Sequence, residues 1–325
     1  WSPAKSGCRL GKMSQVPAIA PRIDPVSFRD FSRDFPGFTE ALGGSFARYG
    51  FAVIADHGLA QDRIDAAIDA AKAFFALPEA VKLKYKLPVG GQRGYTPFGI
   101  ETAKGEAHHD LKEFWHVGRD LPPGHPYRSH MADNIWPDAD VAQFHEKVGW
   151  LYKALDEMGL KVLEAIACYL GLERHFFDPT VDFGNSILRL LHYPPVPHDG
   201  PHIRAAAHED INAITLLLGA EEAGLEVLDR DGTWLPINAS PGAVVCNIGD
   251  MLARNVCGRL PSTTHRVVNP APARRGVARY SMPFFLHFAP DYVIAPLPGC
   301  DMARAQAPIT AYDYLQERLR EIRLL

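Results

Sequence analysis

Along the first half of the chain apolar residues recur with the period of a helix, and from about Asn185 they fall into short strand-like runs. Phe38, Leu42 and Phe46 are one turn apart and predict a helix over residues 37–49. Phe51 to Ala55 then predict a strand closed by His57-Gly58. A second helix is expected from about Ala60 to Phe75, with Ile64, Ile68 and Ala71 on one face. Leu77-Pro78 ends it, and Pro78 can open another short helix. Pro88 to Gly105 reads as a loop, Leu111 to Val117 as a strand, and Ala139 to Leu170 as the longest helix. Strands are then expected at Ile187 to Tyr193, Ile214 to Gly219, Leu225 to Leu228, Ala243 to Asn247 and Val277 to Leu286, before a closing helix near Ala311 to Ile322. A helical first half and a strand-rich second half define an α+β chain forming one functional unit, without internal repeats.

Composition narrows the picture. With 325 residues, 47% apolar and 22% charged, the chain resembles an ordinary globular protein with a substantial core. A formal net charge of -4 argues against a general nucleic-acid surface. No apolar run is long enough to span a bilayer, so neither nucleic acid nor membrane is expected as a partner. Cys8, Cys168, Cys246, Cys257 and Cys300 are odd in number, scattered and without a CxxC pair, which favours reduced thiols in a cytoplasmic setting. Residues 1–12 are basic but lack a following hydrophobic stretch, so they do not form a secretory signal. They are read as a leader or vector-derived remnant, with Met13 as the natural start. No pattern specifies an oligomeric state.

The chemistry concentrates in two places. In His208-Glu209-Asp210, residues i and i+2 of an extended segment point the same way, so His208 and Asp210 can reach one ion while Glu209 points elsewhere. His265 lies in the β-branched run Ser262 to Val268, which also reads as a strand. Ala205-Ala206-Ala207 reads as a turn entering the strand at Ile214. Two imidazoles and one carboxylate leave part of a six-coordinate shell open, the arrangement of non-haem Fe(II) oxygenases. Arg279 and Ser281, two apart on a strand, offer a guanidinium fork and a hydroxyl to an anionic co-substrate. Ligands carried on strands suit the interior of a double-sheet jelly roll of the cupin kind.

The flanking residues carry a closer likeness. His265-Arg266-Val267-Val268-Asn269-Pro270, Arg279-Tyr280-Ser281-Met282-Pro283-Phe284-Phe285 and Asn247-Ile248-Gly249-Asp250-Met251-Leu252 resemble the core of the isopenicillin N synthase-like Fe(II)/2-oxoglutarate-dependent oxygenases. Gly50 to Gly58, followed by Phe74 to Pro78, resembles that family's amino-terminal region, and the likeness runs from about Val16 to about Pro290. It implies a double-stranded β-helix over residues 181–290, a helical region with a few strands over 13–180, and a closing segment and helix over 291–325. It also implies Fe(II) on His208, Asp210 and His265, and 2-oxoglutarate held by Arg279, Ser281 and Tyr193. With O2 these would oxidise, by default hydroxylate, a C–H bond of a small molecule, giving succinate and CO2. Three other readings stay open at this stage: an oxidase of the isopenicillin N synthase type that uses no oxo-acid, a silent metal-binding scaffold, and Zn²⁺ hydrolysis, which leaves the Arg-x-Ser unexplained.

Further candidates surround these. Leu191 stands where plant members of the family often carry Asn, so that contact is lost or replaced. Arg189 shares the face of Leu191 and Tyr193 by alternation, and an inward arginine needs a partner. Either it meets an anionic group on the substrate or co-substrate, or it pairs with a neighbouring carboxylate or points outward. Phe285 lies on the face of Arg279 and Ser281, against substrate or in the core. Tyr95, Phe114 and His116 are candidates for the opposite pocket wall, with core packing as the alternative. Asn212 either orients the ligand shell or serves a turn. His287 is read as structural, His108-His109 as a solvated loop or lid, and Gly90-Gly91 and Gly249-Asp250 as turn chemistry.

Overall fold

The computed structural model describes residues 23–87, 92–100, 112–195, 204–218, 224–237, 239–240, 242–269 and 276–321. The expectations for residues 1–12, Gly90-Gly91 and His108-His109, and for parts of the loop Pro88 to Gly105, lie outside these.

The chain begins with strand β1 (Pro25–Ser27), a single-turn helix α1 (Asp30–Arg33) and helix α2 (Phe35–Tyr49). Helix α2 ends because Gly50 adopts a left-handed φ of 70° and returns its N–H to the Phe46 carbonyl. A Cβ at Gly50 would lie 2.5 Å from the Pro261 carbonyl, so that approach also requires glycine. Strand β2 (Phe51–Ala55) follows, then α3 (Gln61–Phe75) and the short α4 (Glu79–Lys82), which starts directly after Pro78. Strands β3 (Gly94–Thr96) and β4 (Glu113–Gly118) precede the long α5 (Phe144–Tyr169) and the short α6 (Asp178–Val181). The expected start of α5 at Ala139 is corrected to Phe144, with turns over the preceding residues.

The second half supplies β5 (Ile187–Tyr193), β6 (Ala205–His208), β7 (Ile214–Leu218), β8 (Leu225–Leu228), β9 (Trp234–Pro236) and β10 (Val244–Ile248). Helix α7 (Asp250–Asn255) follows, then β11 (His265–Val267), β12 (Arg279–Ser281), β13 (Pro283–Leu286) and finally helix α8 (Ala311–Glu321). Ala205–Ala207 is a strand rather than the expected turn. Alanine has little strand preference of its own, and pairing with β11 decides the conformation. The single strand expected over Val277 to Leu286 is interrupted at Met282, before a proline that cannot donate to a ladder. Its register against β5 nevertheless continues, from Arg279 opposite Tyr193 to Phe285 opposite Ile187.

These strands form two sheets. The larger has nine strands in the order β1-β2-β10-β7-β13-β5-β4-β3, with β12 also on β5; the smaller has the order β6-β11-β8-β9. This is the double-stranded β-helix, with helices on the outer face of the larger sheet. Leu188, Leu190, Leu216, Phe284 and Leu286 point outward to meet Phe46, Phe74, Leu155, Val162 and Leu163 in the main core. Burying each such side chain contributes roughly 1.5–3 kcal/mol. Between the sheets, Phe51, Val53 and Val245 pack against Val227 and Leu235 at one end. Phe114, Leu191 and Tyr193 form a separate small cluster. The remaining inner face is left for polar chemistry.

Candidate active site

His208 and His265 are cross-strand partners on β6 and β11, with ring centroids 4.4 Å apart. Asp210 lies just beyond the end of β6, in the turn before β7. Its Oδ1 is 3.7 Å from Nε2 of His208 and 3.7 Å from Nε2 of His265. The three donor atoms lie within 4.8 Å of one another, which suits a single ion. Each imidazole is oriented through its other nitrogen. His208 Nδ1 is 2.7 Å from the Ala206 carbonyl and His265 Nδ1 is 3.1 Å from the Thr263 carbonyl. A carbonyl only accepts, so both Nδ1 atoms carry the proton and both Nε2 lone pairs face the ion.

Asp210 is held just as specifically. Thr215 Oγ1 donates to Asp210 Oδ2 at 2.5 Å and Asn247 Nδ2 donates to the same oxygen at 2.8 Å, leaving Oδ1 for a metal. Asn212 donates to Thr215 Oγ1 at 2.8 Å and so acts on the carboxylate through the threonine. Burial opposes ionisation of Asp210, but His265, His208, Thr215 and Asn247 together hold its pKa below the ordinary value. Burial, then the neighbouring His265, brings the His208 pKa down to about 4, so this imidazole is neutral and ready to ligate near neutral pH. Its side chain is still 42% accessible, the combination expected of a residue lining an internal, solvent-reachable space. Glu209 points away, as the alternation requires, and accepts from Thr264 Oγ1. Two neutral imidazoles and a fixed carboxylate fit Fe(II) with coordination positions open.

The turn carrying Asp210 is clamped from below by α7. Asp250 N–H donates to the Asp210 carbonyl and Met251 N–H to the Asn212 carbonyl. A Cβ on Gly249 would lie 2.0 Å from Asn212 Oδ1 and 2.2 Å from the Asn212 carbonyl oxygen, so glycine permits the docking. Thr215 and Asn247 carried no role in the sequence reading. The available signal was a lone amide within the apolar run Val244 to Ile248, since a buried amide needs a partner.

Arg279 and Ser281 lie on the inner face of β12, 3% and 6% exposed. Tyr193 is the cross-strand partner of Arg279, whose guanidinium carbon lies 5.3 Å from the tyrosine ring. Burial lowers the Arg279 pKa while Tyr193 raises it, but arginine starts so high that the charge persists. A buried guanidinium and a hydroxyl on one strand face fit a carboxylate. Arg189 also faces inward. Its Nε donates to His116 Nε2 at 2.6 Å, and its guanidinium lies 4.3 Å from the Phe114 ring and 5.5 Å from the Phe285 ring. Phe285 is half-buried on this side, while Phe284 turns to the core and packs against Tyr152.

Tyr95 does not join this group. It pairs with Trp115 rather than with Phe114, so it lies on the outer face of β3, where its hydroxyl donates to Glu113 at 2.5 Å. Glu113 there also meets Lys82 at 2.7 Å and His192 at 2.7 Å, a buried network that fastens α4 to the sheet. The expectation that Tyr95 lines the pocket is therefore corrected: strand phase sends it to the helix side. His287 is buried, with its backbone N–H on Ser186 Oγ.

Comparison with known proteins agrees with this construction. Residues 184–288 match the model of the 2OG-Fe(II) oxygenase superfamily, and residues 21–139 match that of the non-haem dioxygenase in morphine synthesis N-terminal region. The 2-oxoglutarate-Fe(II) type oxidoreductase hxnY of Emericella nidulans is 36% identical over 281 residues, 82% of this chain and 79% of that protein. A Caulobacter crescentus protein assigned to the 2OG-Fe(II) oxygenase family has a crystal structure similar to this one, with TM-score 0.86 and 64% identity over 92% of this chain and 99% of that one. A Neurospora crassa protein, solved at full length with alpha-KG and thymine, aligns with TM-score 0.82 and 28% identity over 92% of this chain and 96% of its own. The chain belongs to the isopenicillin N synthase-like branch of the 2OG-Fe(II) oxygenases. Its activity is that of a 2-oxoglutarate-dependent non-haem Fe(II) oxygenase, with iron and 2-oxoglutarate as cofactors, rather than of an oxidase without oxo-acid or a silent scaffold. Among the described residues no helix is long and apolar enough to cross a membrane.

Proposed function

We propose that His208, Asp210 and His265 hold the Fe(II), that Arg279, Ser281 and Tyr193 hold the distal carboxylate of 2-oxoglutarate, and that Arg189, Phe114 and Phe285 form the wall met by the substrate. Fe(II) with 2-oxoglutarate activates O2, so that one oxygen atom enters succinate and the other the substrate C–H bond, with release of CO2. The protein residues orient and exclude. Thr215 and Asn247 keep Asp210 Oδ1 aimed at the iron, and the two histidine Nδ1 contacts fix ring direction. Phe114, Leu191 and Tyr193 keep water from the co-substrate end, with Leu191 filling by apolar bulk the place where plant members often carry Asn.

The observation that carries the substrate class is the setting of Arg189 between two aromatic rings on the inner face. It supports a small, flat molecule that offers a carboxylate or carbonyl oxygen to the guanidinium and a ring face to Phe114 or Phe285. Thymine, with which the Neurospora crassa relative was solved, is a molecule of that shape. Cys168, Cys246, Cys257 and Cys300 are free thiols, which supports a reducing compartment such as the cytoplasm. The deciding experiment is anaerobic titration of the Fe(II) protein with 2-oxoglutarate, followed by the visible charge-transfer band of the chelate. The band should be lost in Arg279→Ala at the same concentrations and retained in Arg189→Leu. A library of flat carboxylates and carbonyl heterocycles should then give one succinate per product molecule. Retention of the band in Arg279→Ala would refute the co-substrate assignment.

A further inference from the structure

Arg204 immediately precedes β6 and is completely buried, at 0% exposure. Its Nη2 donates to the Val277 carbonyl at 3.1 Å, and its backbone N–H donates to Asn269 Oδ1 at 3.2 Å. Among the described residues its Nε and Nη1 have no hydrogen-bond partner. The Val277 contact brings this guanidinium beside the start of β12, within electrostatic reach of Arg279 and Tyr193. Two buried guanidinium groups thus converge from the two sheets, one before β6 and one on β12. Arg279 raises the cost of charging Arg204, and among the described residues two buried donor atoms of Arg204 are unsatisfied besides. Such an arrangement is expensive unless an anion occupies the space between the cations.

The anion bound at that end must reach the iron with its other end. A register shift between the His208–His265 and Ala205–Val267 pairs breaks simple alternation along β6, so it is the Val277 contact that sets Arg204 beside β12, four residues before the metal ligand His208. A carboxylate has lone pairs enough for both an arginine fork and a further donor. We infer that Arg204 is a second guanidinium for the distal carboxylate of 2-oxoglutarate, working with Arg279 and making the site selective for dianionic over monoanionic oxo-acids. This rests on the reading of Arg279 as co-substrate anchor.

Anaerobic titrations of the Fe(II) protein, read by the charge-transfer band, test it without turnover. The two ligands are 2-oxoglutarate and 2-oxopentanoate, which lacks the distal carboxylate. Arg204→Met should weaken 2-oxoglutarate about 10- to 100-fold, the range for one charged hydrogen bond. It should leave 2-oxopentanoate and Fe(II) affinity within about twofold. Arg204→Lys, which keeps the buried charge, serves if the methionine variant does not fold, and should weaken 2-oxoglutarate by a smaller factor of about 3 to 10. Unchanged 2-oxoglutarate affinity in a folded variant, or equal weakening of both oxo-acids, overturns the inference. Arg279→Ala is measured alongside: if it too leaves 2-oxoglutarate binding unchanged, the anchor itself has been misassigned rather than Arg204 alone.

Discussion

Thr215 and Asn247 face each other across β7 and β10, and both donate to one oxygen of Asp210. Neither touches the metal position, yet together they decide which carboxylate oxygen is offered to it. Thr215→Val or Asn247→Leu should lower Fe(II) affinity about 10- to 100-fold, the usual effect of removing a residue that orients a ligand. Competition with a chelator reads this directly; an unchanged iron affinity would mean that the turn alone positions Asp210.

Gly249→Ala tests the turn. The added Cβ would overlap Asn212, and the overlap with its backbone carbonyl cannot be relieved by a rotamer change. The turn bearing Asp210 must move or α7 must lift. Expected is a loss of about 1–3 kcal/mol of stability together with weakened iron binding. A variant as stable as the wild type by denaturant unfolding, with full iron affinity, would show that α7 accommodates the methyl group.

Glu113 lies on the far side of the same sheet and should behave differently. It is 1% exposed and ion-paired with Lys82. Glu113→Ala leaves Lys82, Tyr95 and His192 without their shared acceptor, and breaking such a buried pair costs about 3–5 kcal/mol. Iron affinity of the protein that remains folded should be intact. A small change in the unfolding midpoint would argue that water replaces the carboxylate.

Stability should also respond to acid through two opposing groups. Burial holds His287 down at about 4, against 6.5 for the free side chain. Between those values the unfolded chain takes up a proton that the native fold refuses. The stability contributed here is therefore complete above about pH 6.5 and lost as pH falls toward 4. Asp250 runs the other way. Burial pushes its carboxyl up to about 7 despite Tyr314 and Arg318, so its contribution is present below about pH 4 and lost as pH rises to 7. Melting temperature measured from pH 7 to 4.5 should fall less in His287→Leu than in the wild type, and more steeply in Asp250→Asn. Parallel curves for all three proteins would contradict both assignments.

Much of this site is legible in the chain alone, because period-2 alternation and ligand chemistry reinforce each other. His208, Asp210 and His265 stand out as one donor set, and Arg189 as an inward arginine. What escapes is fixed by long-range pairing. Ala205–Ala207 carries no strand preference, so only β11 makes it a strand. Tyr95 sits on a three-residue strand whose phase is set by Trp115, and no local pattern reveals which face that is. Arg204 resembles any charged residue near a loop until the Val277 contact places it beside Arg279.

Strands β12 and β13 hold one register against β5 across the Met282 interruption. Arg279, Ser281 and Phe285 are thus graduations on a single ruler roughly 20 Å long, at about 3.3 Å per residue. On the proposed assignment the ruler would set the length of what fits, with the oxo-acid at one mark and the C–H donor at the other. Inserting one residue at Met282 would not merely shift these marks. It would exchange Phe284 for Phe285 on the inner face, turning a change in length into a change in which face of the sheet is presented to the proposed pocket.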